Sequence, residues 1–457
     1  MSRLEILPLP YSPSPCDYFE RLRALPGAVL LDSARPRAQE GRFDLLSALP
    51  VELIETEAGT TRSRDSAGRI LAESEGSPFQ FLDQRLAAQH FPERPPVGEW
   101  PFAGGAIGFF GYGLGSAVVG RALRDCPTLP RMRVGLYAWA LMQDHELRRT
   151  ALLFTPLADA DCRRRVLDAL QGPPLGTSAP FRLQGGFRTR LDPVAYRRAF
   201  DRVREYILAG DCYQVNLAMR LSAPATGEPW EAYRRLRETM GSPFSGYLAC
   251  AEAAVLSFSP ERFLRLADGR VETRPIKGTA RRGPTPAADA RAAERLLAST
   301  KDRAENVMIV DLMRNDIGKS CETGSVHVEK LCALESYANV HHLVSVVTGR
   351  VRADQTALQL LEHAFPGGSI TGAPKRRAMQ IIDELEPDPR SIYCGSLGYV
   401  SAHGPMDTSI AIRTLLFDGR EIHAWGGGGL TVESEPDAEH RECLTKIEPL
   451  LGGLENP

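Results

Sequence analysis

After position 192 the apolar residues recur at helical spacing. Tyr196, Ala199, Phe200, Val203, Tyr206 and Ile207 fall on one face, Asp192 is placed to cap, Pro193 suits the first turn, and Gly210 ends the run. This predicts an amphipathic helix whose stripe needs a partner layer. Helical patterns also cover 302–316, 374–385 and 438–451, whereas 255–263 and 397–400 read as short β-strands. Strands and helices are grouped without a strict β-α-β rhythm, which predicts α+β layers rather than a doubly wound parallel sheet. The first 170 residues say less; 42–50 and the glycine-rich run 100–120 suggest sheet. That run is long and uncharged, but seven of its residues are glycine, so buried strands joined by tight turns are expected in place of a membrane helix.

Residues 171–187 carry four glycines and three prolines with no apolar period and read as a linker, dividing the chain into an amino-terminal region 1–170 and a second region 188–457. The chain has 457 residues, 43% hydrophobic and 25% charged, which excludes disordered, collagenous and coiled-coil classes. Its 55 basic and 57 acidic residues leave a net charge of −2, so no basic field gathers phosphates and no nucleic-acid partner is expected. Nine cysteines without a C-x-x-C pair read as reduced thiols of a cytoplasmic protein. Glu5 and several prolines interrupt the apolar core that a signal peptide would need.

Four segments carry candidate chemistry. Gly367, Gly368, Ser369, Thr371 and Gly372 lead into a helix near Pro374, so free backbone N–H groups and hydroxyls form a candidate anion seat. Ala373 and Pro374 stand where a Walker loop needs its Lys and Ser/Thr, so a carboxylate suits the seat better than a triphosphate. Glu439, Glu442 and Lys446 share one face of a carboxyl-terminal helix, and Glu305 begins another amphipathic segment; carboxylates converging from two helices suit Mg²⁺. Glu261 and Lys277 lie on what read as consecutive strands, where a hairpin brings acid and amine into one cleft and desolvation moves both toward neutrality. The glycines of 425–431 leave backbone amides open to a ligand. Taken singly, a glycine turn, a solvated helix face or a strand-end lysine explains each segment as well.

In chain order these segments resemble the chorismate-utilising enzymes. The stretches are GDCYQVNLA (210–218), SPERF (259–263), PIKGT (275–279), AENVMIVDLMRND (304–316), VHHLVS (340–345), PGGSITGAPKRRAMQIIDELEP (366–387), YCGSLGYV (393–400), DTSIAIRT (407–414), GGGGL (426–430) and the trio Glu439, Glu442 and Lys446. The resemblance implies two antiparallel β-sheets packed face to face with helices outside. It also implies chorismate as substrate, with Mg²⁺ held by Glu305 and Glu442 and assisted by Glu439. Thr371 and the Gly429 amide would support the ring carboxylate, Tyr393 and Arg413 the enolpyruvyl carboxylate, and His342 and Thr279 the C4 hydroxyl side, with Gly278 and Lys446 also lining the substrate.

Two positions discriminate within the family. Relatives that add water carry a lysine base where this chain has Gln214, and relatives that make anthranilate usually read PIAGT where this chain reads PIKGT. Lys277 therefore resembles the branch that makes aminodeoxychorismate for para-aminobenzoate and folate. Lys277 would attack ring C2 while Glu261 protonates the departing hydroxyl. The alternatives are anthranilate formation with loss of pyruvate, isochorismate or salicylate formation, and an inactive tryptophan-binding regulatory subunit. The resemblance also implies a separate glutamine amidotransferase subunit as ammonia donor. LLDSA (30–34) and GSPF (241–244) are similar to elements of a family tryptophan pocket, with Ser33, Pro243 and Phe244 as its candidates.

Overall fold

The computed structural model describes residues 4–38, 41–91, 100–176, 179–337 and 340–455; residues 177 and 178 of the expected linker lie outside the described residues. Two large antiparallel sheets dominate, of 13 and 12 strands among the described residues. The first runs from Glu5–Leu9 through Phe43–Ser47, Val29–Asp32, Phe244–Cys250, Ala253–Ser259, Thr414–Phe417 and Glu421–Leu430 to the long strand Gln214–Thr226. The second runs from Ile276–Arg281 and Val340–Arg350 through Arg262–Ala267, Met406–Ile410 and Ser396–Ser401 to Gly105–Phe110 and Glu52–Glu57. Each sheet takes strands from both sides of 171–187, so ladder hydrogen bonds join the two regions; Ser396–Ser401, for example, pairs with Gly105–Phe110.

Alternation along the strands shows how the layers pack. In Ala253–Ser259, Val255 joins a core shared with Phe109, Leu397 and Ile410 of the second sheet, while Ala254, Leu256 and Phe258 face a second core with Trp230, Tyr233 and Leu236 of the helix Pro229–Met240. Both faces of this strand are covered, so it reads as continuously apolar. A third core joins Val215, Leu217 and Met219 to Tyr196 and Phe200 of Pro193–Leu208, Ile381 of Lys375–Leu385, and Ile447 of Pro436–Glu455. The predicted stripe on the first of these helices has found its partner layer, and Asp192 caps it by accepting from the Ala195 amide at 2.8 Å. Residues 100–120 form the fully buried strand Gly105–Phe110, a 3-10 turn and a short helix. Among the described residues no helix is long and apolar enough to cross a membrane.

The single strand expected over 255–263 is two. It breaks at Pro260, which cannot donate to a ladder, and the chain passes there from the first sheet to the second. Its neighbour makes the reverse passage at Ala411 to Arg413, between Met406–Ile410 and Thr414–Phe417. The two crossings lie side by side, with the Ile410 amide donating to the Glu261 carbonyl at 3.0 Å.

Candidate active site

Glu261 and Arg413 sit at these crossings, between the sheets, where neither backbone is held in regular ladder pairing. Beyond Glu261, Arg262–Ala267 forms a hairpin with Arg270–Thr273, Arg265 opposite Glu272. Carried back toward the crossing, that register brings Glu261 level with Ile276, one residue from Lys277. The expected hairpin thus exists, with Lys277 on the continuation Ile276–Arg281, which pairs with Val340–Arg350.

Glu261 is 5% exposed and accepts a hydrogen bond from the Ser369 hydroxyl at 2.7 Å. Burial pushes its carboxyl up to about 7, against the opposing pull of Ser369, Lys277, the Ile276 amide and Lys446. Lys277 is partly buried and moves the other way: burial lowers it, Glu305 opposes, and Lys446 adds repulsion. The result is an acid that keeps its proton near neutral pH beside an amine driven toward its nucleophilic form.

His342 stands opposite Thr279 in the ladder, with Thr279 Oγ1 and His342 Nδ1 2.8 Å apart. Burial first, and the Arg413 charge second, lower His342 to about 4, so the imidazole is neutral at physiological pH. Among the described residues the Arg413 side chain meets no hydrogen-bonding or ion-pairing partner, although burial lowers its pKa. A half-buried guanidinium without a counter-charge among the described residues is a receptor for an anion, and its fork suits a carboxylate. Tyr393 is buried and stacks on Trp425, ring centroids 6.0 Å apart and planes 6° from parallel.

The glycine strand Glu421–Leu430 lies against Gln214–Thr226, with Gly429 opposite Asn216. A Cβ on Gly429 would stand 2.2 Å from Gln214 Nε2, so only glycine lets that amide lie over the strand. Gln214 Nε2 and Asn216 Oδ1 are buried without a partner among the described residues. Gly278 has φ +86°, a left-handed turn beside Lys277 that disfavours other residues.

The anion seat expected where the glycine turn enters a helix is divided in the structure. Gly372–Ala373 pairs with Gln214–Val215, and the helix starts only at Lys375. The ladder therefore separates the turn from the helix N-terminus. Thr371 is buried in the turn, and its hydroxyl donates to the Gly367 carbonyl at 3.1 Å.

Glu305 lies on the helix Thr300–Gly318, and Glu439 and Glu442 on Pro436–Glu455. Glu439 accepts from Lys301 at 3.1 Å and from Ser434 at 2.7 Å; Glu442 pairs with Lys446 at 2.8 Å, and Lys446 also donates to the Gly427 carbonyl at 2.9 Å. Burial raises Glu305, and the Glu439 charge adds to that rise against Lys277 and Lys301. For Glu442, burial is outweighed by Lys446, Lys301 and Lys277, and its carboxyl is held below the usual range. Among the described residues no three acidic, His or Cys groups stand ready around one point. The donor set, all oxygen and rich in charge, is of the type that a hard divalent cation takes, and in this structure Lys301 and Lys446 hold Glu439 and Glu442.

Ser33 lies where the pairing of Val29–Asp32 with Phe244–Cys250 ends, so Phe244 and Pro243 are its neighbours across the sheet. Its amide and hydroxyl both donate to Asp44 Oδ1 at 2.7 Å, and Asp32 beside it forms a buried ion pair with Arg237 at 2.6 Å.

Ser369, read from the sequence as part of the anion seat, instead meets Glu261, and several residues in or beside the site were not singled out from the sequence: Lys301 and Ser434 on Glu439, Asn216, and a buried Arg390–Glu386 pair. Arg390 donates to the carbonyls of Ile370 at 2.9 Å and Asn216 at 2.6 Å, joining the glycine turn to the long strand. Ser369 and Asn216 fall inside stretches already notable. Their partners are distant in the chain, so no spacing reveals them.

A family described as chorismate binding enzyme matches residues 30–452. Aminodeoxychorismate synthase component 1 of Salmonella typhimurium is 43% identical over 455 residues, covering 99% of this chain and 98% of that protein. Its counterpart in Klebsiella aerogenes is 44% identical, covering 99% of each. Among solved structures, anthranilate synthase component I from Streptococcus pneumoniae superposes with TM-score 0.79 at 31% identity, covering 91% of this chain and 93% of that one.

Proposed function

The chain belongs to the chorismate binding enzymes, and from that premise we propose that it replaces the C4 hydroxyl of chorismate with an amine, giving 4-amino-4-deoxychorismate. The observation that carries this is the Glu261–Lys277 pair, acid and amine at adjacent register, each pushed toward neutrality. Full-length likeness to aminodeoxychorismate synthase component 1 supports it.

In the proposed reaction the Lys277 lone pair forms a bond to ring C2, the two ring double bonds shift, and the C4–O bond breaks. Glu261 gives its proton to the departing oxygen, which leaves as water. Ammonia then adds at C4, the double bonds shift back, and the C2–N bond to Lys277 breaks, leaving the enolpyruvyl ether intact. Arg413 and Tyr393 hold the enolpyruvyl carboxylate, and neutral His342 with Thr279 borders the C4 side. Mg²⁺, for which Glu305, Glu439 and Glu442 are the proposed ligands, would neutralise the ring carboxylate. Gln214 is an amide where water activation would need a base, which disfavours isochorismate formation. A glutamine amidotransferase subunit is the proposed source of ammonia.

Incubation with chorismate, Mg²⁺ and ammonium, followed by mass analysis, tests the proposal. Exchange of hydroxyl for amine without pyruvate supports it, and anthranilate with pyruvate refutes it. Three further results are expected. Glu261→Gln, with no proton to give, lowers turnover about 10²–10⁴-fold. In the unsubstituted enzyme turnover falls as pH rises through about 7, because the raised Glu261 carboxyl holds its proton below that pH and loses it above; a pH profile of kcat lacking this limb would count against Glu261 as the acid. Glu442→Gln removes a charged ligand and raises the Mg²⁺ concentration for half-maximal activity about tenfold, read by Mg²⁺ titration.

A further inference from the structure

Glu261 is held by its backbone from two sides. Its amide donates to Ser259 Oγ at 3.2 Å, its carbonyl accepts from Ile410, and Ser259 Oγ donates to the Ile410 carbonyl at 2.6 Å. What remains free is rotation of the carboxyl and the choice of which oxygen carries the proton.

Ser369 meets that carboxyl from the 3-10 turn Gly368–Ile370, at 2.7 Å from Oε1. It is 6% exposed. Its turn is clamped behind by Arg390 on the Ile370 carbonyl and packed on the helix Thr300–Gly318 so closely that a Cβ on Gly368 would lie 2.5 Å from Leu312. The hydroxyl is therefore supplied by a rigid element.

We propose that Ser369 is a positioning residue for the amination chemistry: by donating to Glu261 Oε1 it leaves the acid proton on Oε2 and fixes that oxygen toward the departing C4 hydroxyl. The inference rests on the function proposed above. A proton on Oε1 would have to be given to Ser369 Oγ, turning the serine proton away from its one acceptor among the described residues in a 6% exposed site, whereas a proton on Oε2 keeps the 2.7 Å bond and one defined donor. The other groups facing Glu261 are Lys277 on its strand, the Ile276 amide, Lys446 on the carboxyl-terminal helix and the Cys394 thiol. None of these is a hydroxyl.

Ser369→Ala tests this. Expected are a 10- to 100-fold loss in kcat, a KM for chorismate within about twofold of the original, and an alkaline limb of kcat moved to higher pH, since the lost donor favoured the ionised carboxyl. Ser369→Thr should restore the limb. Ser369→Cys keeps the volume with a weak donor and carries the same expectation as alanine if that variant fails to fold. In a Glu261→Gln background, Ser369→Ala should cost little more. An unmoved limb with unchanged kcat, a raised KM at constant kcat, or fully additive losses in the double variant would each overturn the role. Failure of the unsubstituted enzyme to aminate chorismate would instead overturn the function on which it rests.

Discussion

Lys277→Ala is expected to lower kcat by at least about 10³-fold while chorismate still binds, because the substitution removes the proposed nucleophile and leaves Arg413, Tyr393 and the acidic set in place. The loss should appear in kcat and kcat/KM together. Intact-protein mass provides a second measurement. Incubated with chorismate without ammonia, the unsubstituted chain should gain the mass of chorismate less water on Lys277, and the variant should gain nothing. Turnover within a few-fold of the original, or an adduct that survives the substitution, would remove Lys277 from the covalent step. The amine is suited to this step because burial in its cleft favours the neutral form, although Glu305, Glu261 and Glu442 all favour the ammonium. Lysine at this position is useful only where desolvation prevails.

The largest expected loss of stability lies away from the chemistry, at Arg390. Its guanidinium pairs with Glu386 at 2.6 and 2.9 Å and donates to two backbone carbonyls, and Glu386 also accepts from the Ala218 amide at 2.8 Å. Arg390→Met strands a buried carboxylate and two carbonyls, and should cost about 3–5 kcal/mol in denaturant unfolding. Arg390→Met with Glu386→Met should recover part of that loss, because the uncompensated charge is gone. A single variant as stable as the parent would show that the pair is not structural. Activity should fall in the single variant beyond what unfolding explains, since Ile370 and Asn216 anchor the glycine turn and the long strand that border the site.

Much of the site was legible because its chemistry is written in local stretches. PIKGT supplies a lysine followed by a glycine whose left-handed backbone the structure uses, and 436–455 supplies Glu439, Glu442 and Lys446 on a helix whose period is readable. The hairpin joining Glu261 to Lys277 followed from reading the two residues on consecutive strands. Other parts needed the fold. Residues 255–263 read as one strand because Val255, Leu256, Phe258 and Phe263 carry an apolar pattern across it, and nothing local says that Pro260 marks passage between sheets. The anion seat read as one unit because 367–374 is contiguous; pairing of Gly372–Ala373 with Gln214–Val215 divides it.

By itself the sequence determined the α+β character, the helix faces, and the presence of an acid, an amine and an acidic trio of the types this chemistry needs, since these depend on residue type and short-range periodicity. The tertiary structure alone decided that Glu261 and Arg413 sit on adjacent crossings between two sheets, that Ser369 reaches Glu261 over 108 residues, and that Arg413 meets no counter-charge among the described residues. Those depend on which distant segments exclude water from one another, and desolvation is a property of the assembled volume, not of any stretch of chain.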